Sequence, residues 1–181
     1  MTKEEIIQHF REYKTKSDDD VIRWKEIIKE ELLNNEYILF AINSSTCSLD
    51  HPDDFFGTHI RDSLVIPEMQ LRPDNFVTYQ VGFTNISLKN ESRKYGEVIF
   101  NIFCSNADNR ETYSGINRHD LLGSLIRETF TWSNKFGFHC KLESNKEDTL
   151  DSNYARRKMV FSITALKETN INDRFIKSEI R

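Results

Sequence analysis

The sequence predicts an α+β domain, with a mostly antiparallel sheet, an amphipathic helix packed on one face, and two N-terminal helices. Three observations predict it. Large apolar residues alternate with polar ones at period two in several segments of the second half. One segment there, "RHDLLGSLIRETF", has helical spacing instead. The first 35 residues carry two helix-start signals, each followed by an apolar stripe. Strands grouped around one helix, without regular strand–helix alternation, give α+β and not α/β.

At the N-terminus, Thr2 followed by Glu5 is a capping box, and Ile6, Ile7 and Phe10 form one stripe. Ser17 with Asp20 repeats the signal, and Asp18, Asp19 and Asp20 put negative charge at the positive end of the second helix. Val21, Trp24, Ile28 and Leu32 give that helix a buried face, and Asn34-Asn35 stops it. "EYILFAIN" is apolar on both faces and is expected as a strand covered on both sides. An irregular stretch from about Ser44 to Asn75 holds all three prolines. So long a connection points to a functional loop or a partner-binding arm.

"FVTYQVGFTNISL" sets Val77, Tyr79, Val81 and Phe83 on one face of a strand. After the polar turn "NESRKYG", "GEVIFNIFC" does the same with Val98, Phe100, Ile102 and Cys104. A polar loop leads to the helix, where Leu121, Leu122, Leu125, Ile126, Thr129 and Phe130 form a continuous stripe. "FGFHCKLE" places Phe136, Phe138, Cys140 and Leu142 on one face, and "RRKMVFSITALKE" places Met159, Phe161, Ile163 and Ala165. The whole of 1–181 is expected as a single domain. It divides into N-terminal helices (1–35), strand and long loop (36–75), sheet–helix–sheet core (76–168) and C-terminal tail (169–181).

Net charge of −4 speaks against a general DNA- or membrane-coating surface, which draws on clustered Lys and Arg. Three cysteines, odd in number and without CxxC spacing, suit a reducing cytoplasm. No segment approaches transmembrane length, and the N-terminus lacks the apolar core of a signal peptide.

Adjacent His119 and Asp120 are what a metal-dependent phosphohydrolase uses to hold a cation, and also what a first helical turn looks like. Asn117 suits the N-cap, and Asp120 suits the positive end of the helix. One His and one carboxylate cannot close a divalent site, and His9, His51, His59 and His139 fall at no metal-ligand spacing. The helix reading is preferred, with no catalytic residue, metal or cofactor expected. "DHPDDFF" collects three carboxylates and His51, but its spacing matches no calcium loop and turns favour Asp and Pro. "RPDN" before a strand lacks the Glu-x-Lys that a restriction-type nuclease needs. Six scattered glycines make no phosphate-cradling loop. Arg156, Arg157 and Lys158 read first as a solvated strand entrance that blunts an edge, and second as a phosphate or acidic-partner contact.

From roughly Asn75 to Glu168, the order of "VTYQVGFTNIS", "GEVIFNIFC", a polar loop, "RHDLLGSLIRETF", "FGFHCKLE" and "RRKMVFSI" resembles the tail-terminator and tail-completion proteins of the tailed-phage neck. The resemblance covers about half the chain and carries no invariant motif. It implies a small α+β subunit of a hexameric ring that caps the tail tube and joins it to head–tail connector proteins. It implies a virion location after assembly in the host cytoplasm, DNA passing through the channel without specific binding, and no enzyme activity. The N-terminal helices and the middle loop exceed what the smallest members have. Charged or aromatic loop-tip residues are the interface candidates: Asp53, Asp54, Arg110, Tyr113, Arg156 and Arg157. The rivals are another virion adaptor or baseplate component, a nucleic-acid-binding module, and a metal-dependent hydrolase.

Overall fold

The structure, a computed structural model, describes residues 2–13, 20–64, 74–86, 93–149 and 153–166. Three helices come first: α1 (Lys3–Glu12), α2 (Asp20–Leu33) and α3 (Glu36–Ile42). A 3-10 turn over Pro52–Phe55 and the two-residue β1 (Ile60–Arg61) follow. Then come β2 (Phe76–Ile86), β3 (Arg93–Ser105), α4 (Arg118–Phe130), β4 (Cys140–Thr149) and β5 (Tyr154–Leu166). The five-stranded sheet has the order β1-β2-β3-β5-β4. Only the β1–β2 pairing is parallel, so the sheet is mostly antiparallel and the fold is α+β as expected.

The Thr2–Glu5 capping box forms with both reciprocal bonds. The second expected start signal, Ser17, and the tail 169–181 lie outside the described residues, as does the side chain of Asp20.

The segment expected as a strand, 36–43, is instead helical. Asn35, read as part of a stop, starts it: its Oδ1 accepts from the backbone N–H of Tyr37 and Ile38. Asn43 ends it in the left-handed conformation at φ 55°. A short run apolar all round fits a buried helix as well as a buried strand, and these two caps decide between them. A second difference lies in "FGFHCKLE". Only from Cys140 is it a strand, and Phe136 turns into the core from the connection after α4.

The helices α2, α3 and α4 cover one face of the sheet, whereas α1 buries no side chain. Trp24, Ile28 and Leu32 of α2, Ile38, Leu39 and Ile42 of α3, and Leu122, Ile126 and Phe130 of α4 bury themselves there. The sheet answers with Val77, Tyr79, Val98, Phe100, Ile102, Met159, Phe161 and Ile163. Phe100 stands at the centre, its ring 5.2 Å from that of Phe130 and 5.7 Å from that of Phe161. Each such fully buried side chain contributes about 1.5–3 kcal/mol. Gly96 belongs to this packing: any Cβ there would intrude on the Trp24 ring, so the ring lies directly on the β3 backbone. Burial pushes the Cys104 thiol well above its ordinary value and the Cys140 thiol up to about 12, so both act as small hydrophobes.

Candidate functional site

Polar side chains gather at the end of the sheet where α4 begins. Arg118, the first residue of α4, is buried. Its guanidinium donates to the carbonyls of Asp108 (2.9 Å) and Ala41 (2.8 Å) and to Asp108 Oδ1 (3.2 Å). Asp108 Oδ2 also accepts from Asn43 (2.9 Å) and Asn75 (2.7 Å). This hub ties the end of α3, the start of β2 and the loop before α4 to one another.

His59 is paired as well. Its Nδ1 donates to the Asn75 carbonyl at 2.8 Å, and its Nε2 shares a hydrogen bond with the Ser44 hydroxyl at 2.7 Å. It is a core histidine.

His119 differs. It sits on the buried face of α4, 1% exposed, in line with Leu122, Gly123 and Ile126. Asn109 Oδ1 accepts from the His119 backbone N–H at 3.5 Å and lies 2.7 Å from Nδ1. An amide oxygen is an acceptor, so Nδ1 donates to it, and Nε2 points the other way. Nε2 is buried without a hydrogen-bond partner. Around it stand Glu147 Oε1 at 3.2 Å and Asp120 Oδ1 at 3.5 Å.

Arg157 closes the group. It lies on the helix-facing side of β5, in register with Ile102 on β3 and with Glu147 on β4. Its guanidinium bonds Asp120 Oδ1 and Asn145 (2.8 Å) and approaches Glu147 Oε2 at 3.7 Å. Gly123 makes room for it, since a Cβ there would stand 2.5 Å from Arg157 Cδ.

A separate surface is aromatic. Tyr37 and Phe40, one turn apart on α3, are 75% and 54% exposed, and Tyr113 of the loop before α4 is 86% exposed. The Phe40 and Tyr113 rings lie 6.2 Å apart. That loop is built around Glu111, whose carboxylate accepts from the Tyr113 and Ser114 backbone N–H groups and the Ser114 hydroxyl. These bonds pull its pKa down to about 2. Two open clefts flank Tyr37, one lined by Glu31 and Asn34, the other by Leu125 and Thr129.

The family model for YomW matches residues 14–163 of the chain. The chain belongs to the YomW family. Membership in this phage-derived family points to a phage-associated protein. No curated protein matches the chain.

In this member of the family, the six interface candidates do not form one site. Tyr113 and Arg110 share an exposed loop. Asp53 and Asp54 are exposed on the 3-10 turn. Arg156 and Arg157 lie within β5 and not at a loop tip. Arg156 pairs with Asp148, and Arg157, expected to be solvated, is turned under α4 with its side chain 14% exposed.

Sequence reasoning missed Asn109, Glu147 and the aromatic pair Tyr37 and Phe40. Asn117 holds the N-cap position as expected, but its side chain makes no capping bond. The helical wheel held one usable signal: His119 lies three and four residues before Leu122 and Gly123, on the face that is buried.

Proposed function

We propose that this phage-associated protein is structural, a tail-terminator subunit that joins copies of itself into a neck ring. The ring caps the tail tube, meets the head–tail connector, and lets DNA pass without specific binding. The observation that carries this reading is the ridge of Tyr37, Phe40 and Tyr113, three exposed aromatics on two adjoining segments. Aromatic side chains lose little conformational entropy on docking and bury large areas, which makes them common interface anchors. The Glu111-braced turn and the Arg118 hub hold the ridge in place before any partner arrives, which lowers the cost of association. The order of strands and helix that resembles tail terminators supplies the choice of ring over other assemblies. The exposed acidic pair Asp53 and Asp54 would repel DNA phosphate if it faced the channel.

Light scattering of the purified full chain, followed by negative-stain imaging, tests the proposal. Rings with a central hole that bind the ends of tail tubes are the expected result. A chain that stays monomeric and never associates with tubes would refute it. Rings found only at the distal end of particles would move the protein to a baseplate role.

A further inference from the structure

We propose that His119, Asp120 and Glu147 bind one divalent ion of the zinc class, which staples α4 to the edge strand β4. The inference goes beyond the docking role and does not depend on it.

Three observations carry it. The first is distance. A four-coordinate zinc with bonds of about 2.0–2.1 Å separates its ligand atoms by about 3.3–3.4 Å, against about 2.9 Å for neighbouring ligands of octahedral magnesium. Nε2 of His119 lies 3.2 Å from Glu147 Oε1 and 3.5 Å from Asp120 Oδ1, and all three ligand atoms fall within 4.8 Å of one another.

The second is the setting of the histidine. Its Nδ1 is committed to Asn109, and its Nε2 is buried without a hydrogen-bond partner although two carboxylates stand beside it. Carboxylate oxygens close to Nε2 but outside hydrogen-bond geometry leave room for an ion to be shared by all three groups. His59 makes the contrast, since both its nitrogens are paired.

The third is the surrounding shell. Metal-bound histidines commonly donate their other ring N–H to an acceptor that fixes the ring, and Asn109 does so here. Arg157 bonds Asp120 Oδ1 and approaches the other oxygen of Glu147 at 3.7 Å, which helps to orient both carboxylates. Two carboxylates stand beside one imidazole here, a donor set of the kind that holds zinc. Glu147 is 57% exposed at its side chain, which leaves the fourth position to water.

The test is Co²⁺ and Zn²⁺ titration of the full chain after chelation. One Co²⁺ per chain, with the intense visible absorption of four-coordinate cobalt and displacement by Zn²⁺, is expected. Zinc at a hundredfold above its Kd raises Tm by roughly 5–10 °C. Glu147→Gln, at an exposed position, weakens binding at least tenfold. Asn109→Ala weakens it by about 10–100-fold. His9→Asn, which removes the exposed His9–Glu12 pair, changes nothing. Absence of stoichiometric binding, or binding that survives Glu147→Gln, overturns the proposal.

Discussion

Glu111 turns its carboxylate onto its own loop. Three donors converge on one carboxylate, and all three favour the ionised form, which is why its pKa falls from 4.5 to about 2. A carboxyl group with a depressed folded-state pKa adds stability above its unfolded value, and that stability is lost as pH falls through the folded value. Glu111→Gln keeps the shape but removes the charge. The stability gap between parent and variant in urea melts should therefore be constant above about pH 5. It should close as pH drops from 4.5 toward 2. A gap that is the same at pH 7 and pH 3 would mean that the carboxylate's charge is not what braces the Tyr113 loop. Tyr113 itself, 86% exposed, meets the Phe40 ring at 6.2 Å, and this brace fixes the turn that presents it.

At the scale of elements, α4 shows two effects in opposition. Gly123 sits inside a helix, where Ala is favoured by about 1 kcal/mol. Yet its missing Cβ is the channel through which Arg157 reaches Asp120 and Glu147. Gly123→Ala should lower Tm despite the gain in helix propensity, because the Arg157 stem must move and leave a half-buried cation and two carboxylates unpaired. A rise in Tm would show that the network contributes less than one residue of helix propensity. The same helix marks how far the sequence could be read. Periodicity alone located α2, α4 and the runs of β2, β3 and β5, because each has one buried face and one polar face. It failed at α3, where "EYILFAI" is apolar all round and only the capping roles of Asn35 and Asn43 separate helix from strand. His119 was visible as a residue, but its third partner was not. Glu147 comes from an edge strand beyond the helix, and only the β4–β5 register places it opposite Arg157. A ligand set built across such a register cannot be read from spacing along the chain.

For the whole molecule, the question is which surface can meet a second copy. One side of the sheet is closed by helices. The β4 edge is unsuited to sheet extension: Lys141, Glu143, Lys146, Glu147 and Asp148 crowd it, and a register shift between Leu142 and Ser144 bends it. Charges and bulges are how edge strands avoid pairing with other chains. At the opposite edge, β1 is only two residues long. Backbone pairing is thus disfavoured at the β4 edge, and Tyr37, Phe40 and Tyr113 form an aromatic ridge that offers side-chain docking instead. Phe40→Ser combined with Tyr113→Ser should shift the purified chain to smaller species by light scattering. Because both residues are exposed, its Tm should change little. Lys146→Ser at the β4 edge should leave the assembly unchanged. If the β4 variant alters the species and the ridge variant does not, subunits meet through the sheet edge, and the aromatic ridge serves some other partner.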